Sequence, residues 1–288
     1  MGQTSIIGAD HWRVSLTAAE GTFLTSHVAE CPDVAPECAT AFIPPHKHLV
    51  SIGLTHLEMQ ADYGLGHNAQ LTLRMPYDVK AMRVRYTTLT GEPFAPPYGD
   101  IHHRTETLNG ISDPSLGIDW SPHSDWLFGF GTTLPVGHIV DDPIVLGREG
   151  KTHEHIQFGS GTFEPRLSAQ WSHALFFARA EAKLSVYENR NGYRAPTTFT
   201  WSAGRSFRAG RVSITPSLDG QYQTLGRWSG VVDEGSGFED GGVRLQVSLP
   251  LRGIAITPGV YHQLWSHGFD EQTFRQKTTW SLSVMRTF

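Results

Sequence analysis

The sequence contains no run of about 20 apolar residues, so it has no helix of the kind that crosses a bilayer. Hydrophobic periodicity at 3.6 residues is nearly absent, which argues against a helical bundle or a helical layer. Charged residues are 18% and hydrophobic residues 39% of the 288. Soluble domains usually have roughly 25% and 45–50%, and here 30 glycines with many Ser, Thr and Gln fill the difference. A net charge of −5 supplies no basic field, so nucleic acid is not an expected partner. No charged-then-apolar segment of the signal-peptide kind is present. The opening "MGQTSIIGADHW" reads as a mature N-terminus behind an added Met. Cysteine occurs twice only, Cys31 and Cys38, in the Pro-rich stretch "AECPDVAPECATAF". That spacing suggests a loop-stapling disulfide formed in an oxidising compartment.

What the sequence does contain is alternation. In "GGVRLQVSLPLRG", Val243, Leu245, Val247, Leu249 and Leu251 alternate with Arg244, Gln246, Ser248 and Pro250. "LFFARAEAKLSVYE" and "AGRVSITPSLDG" behave alike. Period-two patterning is the signature of strands with one apolar and one polar face. Twelve such segments lie near 11–24, 47–64, 67–90, 103–121, 123–136, 155–172, 173–188, 192–206, 209–224, 241–251, 252–264 and 272–288. They leave no room for helices, and the expected class is all-β.

The links between segments decide the architecture. Long and short links alternate, with the long ones near 25–46, 88–103, 136–155 and 225–240. This pattern predicts one domain over residues 1–288, a transmembrane up-and-down antiparallel β-barrel of 12 strands. Such barrels carry short turns at one end, long loops at the other, and an even strand number. They also satisfy every backbone hydrogen bond without an edge, as the hydrocarbon core demands. The expected location is the bacterial outer membrane, with both termini periplasmic and the long loops outside. Expected lumen-lining residues are Arg74, Arg83, Arg85, Asp119, Arg166, Arg179, Glu181, Lys183, Arg211 and Arg244. On the lipid side an Arg or Lys near the midplane costs about 2–4 kcal/mol. Aromatic belts are expected from Trp120, Trp126, Trp171 and Phe207 at the short-turn end. Tyr187, Tyr193, Trp265 and Phe274 would form the belt at the other end.

The last residues, "TTWSLSVMRTF", alternate with Trp280, Leu282, Val284 and Phe288 on one face. This resembles the terminal strand of Gram-negative outer-membrane proteins, which ends in Phe. The resemblance implies that the barrel-assembly machinery reads these four residues. Arg286 departs from the pattern, where an apolar residue is commoner, and can snorkel to water near the membrane edge. Two internal stretches, "NGISDPSLGIDWSP" (109–122) and "FGSGTFEPRLSAQWSH" (158–173), are alike. With "LEMQADYGLGHNAQLTLRMPY" (57–77), they are similar to bacterial outer-membrane putative transporters related to the phenol-degradation meta-pathway proteins. That resemblance implies a 12-stranded barrel and passage of small solutes. Pro114 and Pro165 lack an amide proton and suit a bulge or a strand end.

Histidine is the compositional outlier, at 15. "HKH" (His46, His48), "HH" (His102, His103) and "HEH" (His153, His155) fall in or beside the long loops. Residues i and i+2 of an extended segment share a face, so His46/His48 and His153/His155 could each present two imidazoles to Zn, Cu or Ni. "HEHIQFGSG" is the first choice for such a site; no cofactor is required by the rest of the sequence. No Gly-x-Ser-x-Gly elbow occurs, and the adjacent pairs Ser172-His173 and Ser266-His267 would point to opposite strand faces. An enzyme is therefore not expected. The expected function is an outer-membrane channel or transporter for small solutes, with a link to metal left open. Its partners are outer-membrane lipids and lipopolysaccharide, the assembly machinery and the solute. The alternative is a non-conducting barrel whose His-rich loops bind metal ions or a partner.

Overall fold

The computed structural model describes residues 5–30, 36–40, 42–98, 101, 103–268 and 275–288. The strands of its first half are β1 (Trp12–Ala29), β2 (His46–Gly66), β3 (Ala69–Thr88), β4 (Glu106–Ile111), β5 (Ser115–His123), β6 (Trp126–Thr133), β7 (Pro165–His173), β8 (Phe176–Lys183) and β9 (Tyr193–Arg194). Those of the second half are β10 (Thr198–Arg205), β11 (Phe207–Ala209), β12 (Val212–Gln223), β13 (Gly226–Trp228), β14 (Val231–Asp233), β15 (Phe238–Leu251), β16 (Ile254–Gly268), β17 (Arg275–Gln276) and β18 (Thr279–Thr287). Two short helices, α1 (Pro36–Thr40) and α2 (Pro143–Arg148), sit in loops.

Three pairs of segments, β4 with β5, β10 with β11 and β17 with β18, each form one interrupted stave. The main sheet of 15 segments therefore makes twelve staves. Every stave is antiparallel to its neighbours. The ring closes where β18 pairs with β1, from Arg13↔Thr287 to Glu20↔Trp280. The Phe288 amide donates to the Trp12 carbonyl at 2.8 Å, and the Trp12 amide donates to the Phe288 carbonyl at 3.2 Å. The result is a closed all-β barrel, as the alternation of the sequence implied.

Turns at the end carrying the termini are tight. His67 and Asn68, at φ 51° and 58°, turn β2 into β3, the left-handed pair that a two-residue hairpin requires. The links at the opposite end are long, and three of their segments (β9, β13 and β14) make a small separate sheet. Some loop bounds differ from the sequence pattern. β1 continues to Ala29, β15 begins at Phe238, and the 155–172 segment becomes strand only at Pro165. The side chains that pair across the β1–β2 hairpin extend higher than the apolar pattern does, because His27 and His48 are polar members of the inward face. Pro165 opens β7 and Pro114 lies in the break between β4 and β5, positions where no ladder amide is lost.

Burial is inverted relative to a soluble domain. The most buried side chains include His46, Gln70, Asp62 and Glu164, each at 1% exposure or less. Leu116, Ile118, Trp120, Phe130, Leu245 and Leu282 are all more than 40% exposed. Their strand parity puts them on the outer face, where the surface meets lipid instead of water. Trp126 of β6 pairs directly with Trp171 of β7 at the terminus-bearing end, and Trp120 and Phe207 are exposed nearby.

Parity also corrects the sequence reading at three cations. In β3 the even residues Gln70, Thr72, Asp78 and Met82 are buried, while Met75, Tyr77, Arg83 and Arg85 are exposed. β3 runs without a bulge from Ala69 to Thr88 against β5 and β2, apart from an irregularity at Gly64/Gly66. An odd-numbered arginine cannot share a face with Arg74 along such a strand. Arg83 and Arg85 therefore face outward near the loop-bearing end, and do not line the lumen. Arg211 lies in the tight turn before β12 and is exposed, because β12 starts only at Val212. Tyr193 is likewise not a belt residue: it packs on Trp228 in the small sheet, with ring centroids 4.5 Å apart. Phe274 lies outside the described residues.

The parity makes a direct prediction. Leu245→Arg on the outer face of β15 should lower unfolding stability in lipid vesicles by about 2–4 kcal/mol. Gln246→Arg, one residue on and facing inward, should change it by less than about 1 kcal/mol. Urea titration followed by tryptophan fluorescence measures both.

Candidate functional site

The lumen has two levels. At the terminus-bearing end it is filled. Arg13 Nη2 lies 2.7 Å from Asp62 Oδ2, and Asp62 Oδ1 also accepts from Thr72 Oγ1 at 2.8 Å and Gln60 Nε2 at 2.9 Å. Gln70 Nε2 donates to Asp119 at 3.0 Å. The chain from Ser5 to Asp10 crosses this end: Arg13 donates to the Ser5 carbonyl at 2.8 Å, the Ile7 amide to Gln70 at 3.2 Å, and the Asp10 amide to Gly64 at 3.0 Å. Gly64 has to be glycine here, because a Cβ would come within 1.9 Å of the Gly8 carbonyl oxygen.

Midway up, a carboxylate is shared. Glu181 of β8 accepts from Arg166 of β7, and from Arg179 at 2.9 Å. Two to three staves further round the wall from β8, Arg244 pairs with Asp219, which Ser202 and Ser217 support at 2.7 and 3.0 Å. Arg74 and Asp119 face the same space, and the free volume between them, Arg166 and Glu181 is about 40 Å³. That is room for a few waters at most. Seven of the ten expected lumen residues (Arg74, Asp119, Arg166, Arg179, Glu181, Lys183 and Arg244) thus face inward, and Arg83, Arg85 and Arg211 do not. Arg13, Asp62, Lys80, Glu164 and Asp219 were not singled out from the sequence. Arg13 and Asp62 had a signal in the alternation of "WRVSLT" and "MQADYG". Glu164 had none, since it precedes its strand.

Above this floor lies a cavity of about 1080 Å³. Arg166 and Glu181 border both it and the small space below. Its walls combine Val50, Ile52, Met82 and Phe158 with Lys80, Lys183, Glu164 and Glu154, and loop residues Asp233–Ser236 reach over it. Glu164 is 1% exposed and pairs with Lys183 at 3.2 Å. Burial raises its carboxyl above the usual range, against the pull of Lys183. Lys80 donates to the Gln157 carbonyl at 2.6 Å and lies over the Phe158 ring at 4.6 Å. The two look-alike stretches of the sequence meet here. Asp113 accepts from the Gly137 amide at 2.8 Å and the Ser160 amide at 2.7 Å, which ties the 137–160 loop to the break between β4 and β5.

The histidines gather on one side of this cavity. His46 and His48 share the inward face of β2, with Nε2 atoms 3.1 Å apart. His27 of β1 is the direct cross-strand partner of His48. His103, ahead of β4, has its Nε2 3.0 Å from that of His27. His153 and His155 lie in an irregular loop with edge-to-face rings 5.2 Å apart, and His155 reaches the cavity. His102 lies outside the described residues, as does Cys31; Cys38 lies half-buried in α1. His27 was not placed with the others from sequence because its partnership depends on the β1–β2 register. Trp280, Leu282, Val284 and Phe288 are exposed on the outer face of β18, with the Arg286 guanidinium 4.8 Å over the Phe288 ring.

No protein-family model matches the sequence, and no curated protein matches it. Among solved structures it is similar to an outer-membrane channel from Pseudomonas putida F1, at 12% identity and a TM-score of 0.56, covering 100% of this chain and 99% of that one. This is the fold of an outer-membrane barrel. More distant are the P. putida toluene transporter TodX, at 8% identity, TM-score 0.46 and coverage of 98% and 90%, and a Pseudomonas aeruginosa FadL homologue, at 9%, 0.43, 97% and 90%. The likeness is one of fold and names no solute for this chain.

The shared carboxylate can be tested alone. Glu181→Gln removes the counter-charge of two half-buried guanidinium groups. It should lower unfolding stability by about 2 kcal/mol, below the 3–5 kcal/mol of a fully buried pair. The same vesicle titration measures it.

Proposed function

We propose that this protein is an outer-membrane channel for small solutes, with its termini in the periplasm. The single observation that carries the reading is the cavity of about 1080 Å³ enclosed by a complete barrel wall. Its volume is slightly above the roughly 300–1,000 Å³ that small-molecule sites use. Apolar and charged groups both line it, so a solute can leave water in steps. Solutes would collect above the Arg166–Glu181 floor and pass when those pairs part. The similar P. putida structure is described as a channel, which supports the reading by analogy of fold. Kinship with the phenol-degradation meta-pathway proteins belongs to the same reading, and rests on the 57–77, 109–122 and 158–173 stretches.

The remaining partners follow from the surface. Outward Arg83 and Arg85 sit near the loop-bearing end, where lipopolysaccharide phosphates would meet them. The exposed face of β18 would present Trp280, Leu282, Val284 and Phe288 to the assembly machinery. A Cys31–Cys38 disulfide would staple the β1–β2 loop. Metal linkage through the cavity histidines completes the proposal. The filled floor favours a second reading, a barrel that does not conduct and whose histidines bind metal or a partner.

Conductance separates these readings. Purified protein in planar bilayers should give small discrete openings, and Arg166→Ala/Glu181→Ala should enlarge them. Openings in the variant alone would favour the closed barrel. Silence in both would overturn the channel.

A further inference from the structure

We propose that His27, His48 and His103 form a binding site for one divalent transition-metal ion on the cavity wall. The inference deepens the metal-linked part of the function above, but binding does not depend on conduction.

The three side chains come from three places in the chain: the top of β1, the top of β2 and the segment before β4. One ligand nitrogen from each lies within 4.8 Å of the other two. Imidazole nitrogens around a tetrahedral ion at about 2.0–2.1 Å stand about 3.3–3.4 Å apart. The observed His27–His103 separation of 3.0 Å is near that edge, and with all three nitrogens within 4.8 Å the His48 ring has at most about 1.4 Å to close to complete a coordination triangle. His27 and His103 line the cavity, while His48 behind them is 5% exposed. An ion held there would have three protein nitrogens on one side and the cavity on the other.

The supporting hydrogen bonds point the same way. His46 Nδ1 lies 3.0 Å from the Pro44 carbonyl. A carbonyl only accepts, so Nδ1 donates in that contact. Two groups lie against the His46 Nε2: Tyr98 Oη at 3.0 Å and His48 Nε2 at 3.1 Å. His46 thus backs the His48 ring, with the two ring centroids 5.0 Å apart. His103 is positioned from the other side, where Tyr86 Oη donates to its carbonyl at 3.1 Å. Metal-binding histidines are commonly fixed by such outer partners.

The donor set identifies the ion class. Three imidazoles without thiolate suit Zn(II), Cu(II) or Ni(II), whereas Ca(II) and Mg(II) require oxygen ligands. Three protein ligands leave a coordination position open. It faces the cavity, where water or a Lewis-basic group of a solute could occupy it.

Zinc titration by calorimetry tests this on the full-length, detergent-solubilised barrel without a polyhistidine tag. Wild type should bind one equivalent. His27→Ala/His103→Ala should weaken that binding by about 100-fold or more, beyond the 10–100-fold lost when only a ligand's hydrogen-bond support is removed. His173→Ala, at the opposite end of the barrel, should bind as wild type does. Heat-modifiable gel migration shows whether each variant is folded, and His27→Gln/His103→Gln serves if the alanine pair is not. No zinc uptake by wild type, or equal uptake by the folded pair variant, overturns the site. So does a loss that instead follows His153→Ala/His155→Ala. Conductance with and without chelator is read separately, so a silent barrel that binds zinc rejects the channel and keeps the metal site.

Discussion

Every feature of this protein depends on the pairing of its last strand with its first. Inside hydrocarbon an unpaired amide or carbonyl costs several kcal/mol, and an open sheet of this length would expose two rows of them. Register from Arg13↔Thr287 to Glu20↔Trp280 removes both rows. Once the ring is closed, strand alternation has only two destinations, lipid and lumen. The inverted burial follows. Leucine, tryptophan and phenylalanine cover the outside, and His46, Asp62, Gln70 and Glu164 are the buried side chains.

A polar interior has to be satisfied, and the way it is satisfied divides the lumen. At the terminus-bearing end and midway up, charges of both signs alternate around the wall and neutralise one another. Arg13 with Asp62, Arg166 and Arg179 with Glu181, and Arg244 with Asp219 leave little space between them. Near the loops the walls carry apolar residues such as Val50, Ile52 and Met82 and fewer paired charges, so the space stays open. The histidines stand at this upper level because β1 and β2 continue beyond the apolar band and bring His27 and His48 side by side.

Much of this was legible in the sequence, for a physical reason. Period two is imposed by the pleat itself, so the strands, their number and the alternation of long and short links could be read without contacts. The errors arose where a residue's face depended on counting through a whole strand. Arg83 and Arg85 are odd-numbered in a strand whose inward residues are even, and charge alone had placed them inside. Arg211 belonged to a turn. The histidine grouping was half visible: "HKH" declared a shared face, but His27 is 21 residues away from His48 and is joined to it only through register. The loop sheet of β9, β13 and β14 gave no periodic signal, because its segments are three residues or fewer.

The central claim is that each stave shows one face to lipid and one to a polar lumen. The most direct measurement is a nitroxide scan of β3, residue by residue from Gln70 to Tyr86, in lipid vesicles. Collision rates with oxygen, which partitions into lipid, and with a water-soluble nickel chelate report each position. Oxygen maxima are expected at the odd positions through Tyr77, Val79 and Ala81, with Arg83 and Arg85 continuing that phase. A scan without period two, or a phase reversal that turned Arg83 and Arg85 inward, would contradict that claim.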